Sequence, residues 1–182
     1  MGTVTTKLMS LAEFERLDTS DQVELLNGEL VRMPPAEFSH NDSAETLRDL
    51  IKSALDQLRK SHPDFRFGKV HHEMGYLFPG EPPSWLQPDV SIAHHGQPLR
   101  KYYEGAPFMA FEIVSEHDNA KDLDRKVGLY LMHGAAEVWV IYPETRHAVV
   151  YHGMTQGITM ETNAIHSELL PGVEIPFADF LN

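Results

Sequence analysis

The chain contains no cysteine. Disulfides, thiolate zinc sites and cysteine nucleophiles are therefore excluded, and any metal is left to carboxylates and the 11 histidines. A basic excess is also missing: the formal net charge is −12, and an acidic sphere does not attract a phosphate polyanion as a basic face does. This excludes a general nucleic-acid coating protein. It leaves open an enzyme with one local basic cleft, or a site whose carboxylates are neutralised by a divalent metal. No apolar run approaches the roughly 20 residues needed to cross a bilayer, and the N-terminus lacks a basic-apolar-small leader. A cytoplasmic protein without a membrane partner is expected. Walker-type glycine loops, nucleophile elbows and His-Glu-x-x-His helices are absent, which removes support for P-loop, serine-hydrolase and zinc-protease chemistry. No repeat, low-complexity tract or Gly/Ser linker divides the 182 residues, so a single domain over residues 1–182 is expected.

What is present is a succession of short periodic segments. Ser10 to Asp18 carries Leu11, Phe14 and Leu17 at helical spacing behind a capping serine. "VELLNGELVRM" reads as two strands folded at Asn27-Gly28, the dipeptide suited to the positive φ of a tight hairpin. From Asn41 to Lys60 apolar residues recur at three- and four-residue steps, with Asp42 and Glu45 at capping-box spacing. Phe67 to Phe78 alternates as one strand, "PGEPPSW" reads as a loop, "PDVSIA" as a short strand and "GQPLRKYYEG" as another loop. Pro107 to Ser115 is apolar on both faces, as a central strand is. A helix follows over Asn119 to His133, with Ala120, Leu123, Val127, Tyr130 and Leu131 inward and Gly134 at its end. "EVWVIY", "HAVVYHG", "GITMET" and "VEI" supply further strands, and "PFADFL" a closing helical turn. The order defines an α/β (α+β) domain around a mixed sheet flanked by helices, with an N-terminal hairpin and a C-terminal β meander.

One residue breaks the apolar pattern of the central strand. Glu112 in "FMAFEIV" must be neutral, meet a cation such as a buried arginine, or face a cleft, because an unpaired buried carboxylate costs too much. Asp89, after Pro88 at the head of "PDVSIA", is by itself an ordinary strand-edge aspartate. Together the two acids make the oxygen-rich environment that Mg²⁺ prefers. In "KDLDRKVGLYLMHG", Asp122, Lys126 and Tyr130 lie on one helical stripe. Lys126 is then either a solvated partner of Asp122 or a cation placed to orient water or stabilise charge on a phosphoryl oxygen.

Pro88-Asp89, Glu112 in "FEIVS", "KDLDRKVGLY" and "GAAEVW", with the earlier "ELLNGELVRMPPAEFSH", resemble the Uma-type restriction endonuclease family, a branch of the PD-(D/E)XK nuclease superfamily. The resemblance runs from about Ser10 to Phe180. It implies a restriction-endonuclease-like core in which Asp89 and Glu112 hold Mg²⁺, or Mn²⁺ as substitute, with the Ile113 carbonyl as a further ligand. The superfamily places a lysine two residues after that glutamate. Val114 stands there, and the resemblance is to a variant whose lysine has moved to the following helix, at Lys126. Glu29 and His40 occupy further family-matched polar positions, as supports for metal or water, and Asp122 is a supporting position beside Lys126. The implied activity is hydrolysis of DNA phosphodiesters by metal-activated water, with RNA as another substrate and a homodimer as the assembly. The other reading is a catalytically degenerate nuclease-fold module for binding or assembly. The pairs His71-His72 and His94-His95 are not chelating pairs, since strand neighbours point to opposite faces. Trp85 and Lys101 to Tyr103 either stack on bases or pack on their own domain.

Overall fold

A computed structural model describes residues 8–17, 23–33 and 38–181. The chain opens with a single helical turn, α1 (Leu11–Phe14), closed by a capping box between Ser10 and Glu13. Strands β1 (Val23–Leu26) and β2 (Glu29–Arg32) follow. Asn27 and Gly28 both take positive φ, 50° and 78°, as the hairpin turn requires. Helix α2 (Phe38–Ser61) buries Ala44, Leu47, Ile51, Leu55 and Leu58 along one stripe. It begins three residues before Asn41, so Asp42 and Glu45 lie inside its first turns and do not form the expected cap. The residues that would cap it, and Asp18 at the expected end of α1, lie outside the described residues.

Phe67 to Phe78 is not one strand. It is β3 (Val70–His72) and β4 (Tyr76–Phe78), which belong to different sheets. Glu73 breaks it with φ 46°, and Gly75 lets the backbone lie against the indole of Trp85. A Cβ at Gly75 would stand 2.5 Å from that ring. Gly75→Ala is therefore expected to cost about 1–3 kcal/mol through overpacking, measurable by urea unfolding. "PGEPPSW" also ends in structure, since β5 (Ser84–Leu86) includes Trp85. The indole packs on Phe14 and Tyr102, so it serves its own domain. Two residues of "GQPLRKYYEG" form β7 (Tyr103–Glu104), after β6 (Val90–Ile92).

The wholly buried β8 (Met109–Ile113) runs parallel to β9 (Glu137–Tyr142), and α3 (Ala120–Met132) connects them. Asn119 caps α3 by accepting from the Lys121 N–H at 2.9 Å, and Gly134 ends it at φ 100°. Asn119→Ala should lower stability by about 1 kcal/mol, read as a small fall in the unfolding midpoint. Leu123, Val127, Tyr130 and Leu131 pack inward as expected, whereas Ala120, in the first turn, is exposed. Strands β10 (His147–His152) and β11 (Ile158–Glu161) complete a meander on β9. A separate ribbon of β12 (Ala164–His166) and β13 (Glu174–Pro176) leads to a closing 3₁₀ turn, Phe177–Asp179.

The central sheet runs β11-β10-β9-β8-β6-β3, and a second sheet runs β2-β1-β5-β4-β7. Alternation along β8 and β9 divides the core. Met109, Phe111, Ile113, Trp139 and Ile141 join α2 and the C-terminal segment on one side. Ala110, Val138 and Val140 join α3 and the second sheet on the other. Glu112 alternates onto the α3 side. The second buried glutamate of the central sheet, Glu137, is satisfied without cleft or metal: it accepts from Trp139 Nε1, His152 and Ser167 Oγ at 2.9–3.1 Å.

Candidate active site

The site grows from the register of two antiparallel strands. Val90 faces Phe111 across β6 and β8, and Asp89, just before β6, accepts the Ile113 N–H at the end of β8 beside Glu112. Glu112 points to α3, where it meets Lys126 and Tyr130, and both acids line one cleft at the end of β8 where α3 departs. A cleft of about 150 Å³ opens there, lined by Glu24, His40, Asp89, Glu112, Ile113 and Lys126 among others.

Lys126 is not a solvated helix lysine. It is 5 % exposed, as is Glu112, and its Nζ donates to Glu112 Oε2 at 2.8 Å. The pairing with Asp122 suggested by their spacing does not form, because Asp122 bonds Arg125 at 3.2 Å instead. Arg125 also meets Glu29 at 2.7 Å and the Leu26 carbonyl at 3.1 Å. Glu29 thus clasps the hairpin to α3 at the rim of the site, and the glutamate that enters the site from this hairpin is Glu24. It is 2 % exposed, accepts from the Gln87 N–H at 2.8 Å and lies 3.2 Å from Lys126 Nζ. Tyr130, one turn beyond Lys126, donates to Glu112 Oε1 at 2.8 Å. Both oxygens of Glu112 are thereby engaged.

His40 closes the other side. Its Nε2 lies 2.8 Å from the Ile113 carbonyl and 3.4 Å from Asp89 Oδ2. Both neighbours are acceptors, so Nε2 carries the proton. Asp89 Oδ2 also accepts from the Ile113 N–H at 2.6 Å, which locks the aspartate to the end of β8.

The charges explain the titration. Burial pushes the Glu112 carboxyl up to about 8, against the pull of Lys126, with Asp89 and Glu24 adding repulsion. Burial likewise raises Glu24. For Lys126 burial acts downward, but the Glu112, Glu24 and Asp89 carboxylates outweigh it and hold the ammonium above its usual range. The Asp89 carboxylate pushes His40 up to about 9. Three carboxylates face one lysine and one histidine, so a fully ionised site carries excess negative charge.

Asp89 and Glu112 offer hard oxygens to one cleft, which Ile113 also lines. Among the described residues no three His, Asp or Glu side chains converge on one point. A zinc-like cage is therefore not formed. The donor set fits Mg²⁺, which takes one or two carboxylates and completes its octahedron with water and substrate oxygens. The Ile113 carbonyl, expected as a ligand, accepts from His40 in this arrangement.

Of the residues singled out in the sequence, the fold brings together Asp89, Glu112, Ile113, Lys126 and His40, and sets Glu29 and Asp122 on Arg125. Glu24 and Tyr130 were not assigned to the site from the sequence. The signal for Glu24 was present, since "VELL" carries one acid in a run that is otherwise apolar.

The mixed sheet flanked by helices is a restriction-endonuclease-like fold. The chain belongs to the family described as "Uma2: Putative restriction endonuclease", whose model matches residues 11–178. Five solved chains match it. One, from Anabaena variabilis ATCC 29413, is described as a "putative nuclease belonging to DUF820"; it is 19 % identical, with a TM-score of 0.73, over 95 % of this chain and 97 % of that one. At that identity the likeness concerns the fold. No curated protein matches the sequence. Among the described residues no helix is long and apolar enough to cross a membrane.

Proposed function

We propose that the chain is a Mg²⁺-dependent endodeoxyribonuclease that hydrolyses phosphodiester bonds by in-line attack of water. The observation that supports this best is that Asp89 and Glu112 line one cleft that also holds a buried lysine. Asp89, Glu112 and the Ile113 carbonyl would hold the ion. When bound, its chemistry is acidification of water and neutralisation of charge on the phosphate. Lys126 presents a full positive charge in a dry pocket, suited to orient the nucleophile or to stabilise a phosphoryl oxygen. Tyr130 fixes the Glu112 carboxyl, and His40 fixes Asp89 and the Ile113 carbonyl. A chain of net charge −12 gains access to DNA through the divalent cation as well as through any basic edge of the cleft. Two copies about a two-fold axis would present two clefts to two strands.

The test is cleavage of DNA with Mg²⁺ or Mn²⁺ by the wild type, Asp89→Asn and Glu112→Gln, with RNA as a parallel substrate. Equal rates in all three would end the assignment. Calorimetry separates the enzyme from a degenerate binding module: Mn²⁺ uptake that disappears in Asp89→Asn is expected of the enzyme. A protein that takes up no metal and cuts nothing is the module.

A further inference from the structure

We infer that Glu24 is a positioning residue for Lys126: it receives the ammonium when Glu112 turns to a divalent cation, so metal loading moves the lysine from one glutamate to the other. This deepens the nuclease reading and rests on it.

The observation is the asymmetry of the two glutamates around one Nζ. Glu112 Oε2 takes a full hydrogen bond at 2.8 Å, and Glu112 Oε1 is held by Tyr130. Glu24 is fixed through Oε1 by the Gln87 N–H at 2.8 Å. Its Oε2 is buried without any hydrogen bond and stands 3.2 Å from the same Nζ. That oxygen is thus paired by charge with Lys126 but has no well-formed hydrogen bond, and it can accept a closer one. It does so if the lysine moves. A cation that approaches Glu112 from the cleft competes with Nζ for Oε2, and a displaced ammonium with no counter-ion in a dry pocket is strongly disfavoured. Glu24 supplies that counter-ion within a side-chain swing, while the body of α3 stays in place. The Gln87 amide side chain, which donates to the Glu73 carbonyl, holds the segment carrying the Gln87 N–H against the end of β3. Glu24 is therefore fixed before the lysine arrives. The same step frees Glu112 for the ion and leaves Lys126 beside the cleft with its charge intact.

Two measurements test this on the full chain. In crystals of the wild type grown with Mn²⁺, the order of the two contacts is expected to reverse: Lys126 Nζ leaves Glu112 Oε2, which it now meets at 2.8 Å, and closes on Glu24 Oε2 from its present 3.2 Å. Nζ still on Glu112 with the ion bound, or Glu24 itself on the ion, would overturn the inference. By calorimetry, Glu24→Gln should bind Mn²⁺ about tenfold more weakly than the wild type. The cleft-lining Asp118→Asn, which removes a charge away from Lys126 and keeps an acceptor for the Ser115 N–H, should change affinity by less than about threefold. Equal losses in the two variants would reduce Glu24 to a general charge and sink the assignment. Wild-type affinity in Glu24→Gln would do the same while leaving the metal site standing. A wild type that takes up no Mn²⁺ removes the metal site and the inference together.

Discussion

Glu112→Gln is expected to lower Mg²⁺-dependent DNA cleavage by on the order of a thousandfold, the scale of losing a group that acts on charge developing in a transition state. The substitution keeps the shape and one oxygen of the side chain. Tyr130 still has an acceptor and Lys126 keeps Glu24 as a counter-ion. Folding should therefore survive, because the change also removes a carboxyl that burial and like charges had pushed up to about 8. The informative result is the split: rate lost with the unfolding midpoint held or slightly raised. Loss of both would mean that the glutamate serves the core and not the chemistry. The measurement is a gel or fluorescence cleavage assay beside urea unfolding of the same sample.

The parts of the fold that could be read in the sequence were those set by local physics. Asn27-Gly28 specifies its hairpin because few other dipeptides accept two positive φ angles, and α3 announces itself through a capping Asn119, its apolar steps and Gly134. Glu112 stood out because an acid inside an apolar strand demands an explanation. Asp89 and Lys126 joined it because two acids at strand ends suit a divalent ion and a cation on the next helix suits a phosphoryl oxygen, while the family resemblance added the Ile113 carbonyl, Glu29 and His40. What stayed hidden depended on contacts between distant segments. The apolar neighbours of Glu24 hint that it is buried, but nothing near it reveals that a lysine on α3 will meet it. The alternation from Phe67 to Phe78 is real, yet Glu73 and Gly75 turn the chain from one sheet to another, which a two-residue period cannot show. In α3, Asp122, Arg125 and Lys126 all look like a solvated face. Only the packed hairpin decides that Arg125 goes to the rim and Lys126 goes in.

That burial makes Lys126 the position where one substitution should do most harm to stability. Lys126→Met fills a similar volume but leaves Glu24 and Glu112, 2 % and 5 % exposed, facing each other without a cation. Removing one partner of a buried ion pair costs about 3–5 kcal/mol, because the remaining charge keeps its desolvation penalty. For a chain of this length that corresponds to a fall of roughly 10 °C in the unfolding midpoint. The loss should depend on pH in a definite direction. Burial already pushes the Glu112 carboxyl up to about 8, well above the ordinary carboxylate range, and without the ammonium it moves higher still. A carboxyl with a raised folded pKa binds its proton more tightly in the native state, so its stability is intact at low pH and declines as pH rises through the folded value. The deficit of Lys126→Met relative to the wild type should therefore be smallest near pH 5 and grow through pH 8 to 9. Adding Glu112→Gln to Lys126→Met should recover much of it, since of the two glutamates that shared Lys126 the double variant leaves only Glu24, which keeps its Gln87 hydrogen bond. Urea unfolding of the wild type and the two variants at pH 5, 7 and 9 checks all three statements; a deficit that does not change with pH would mean that Lys126 acts through packing and not through its charge.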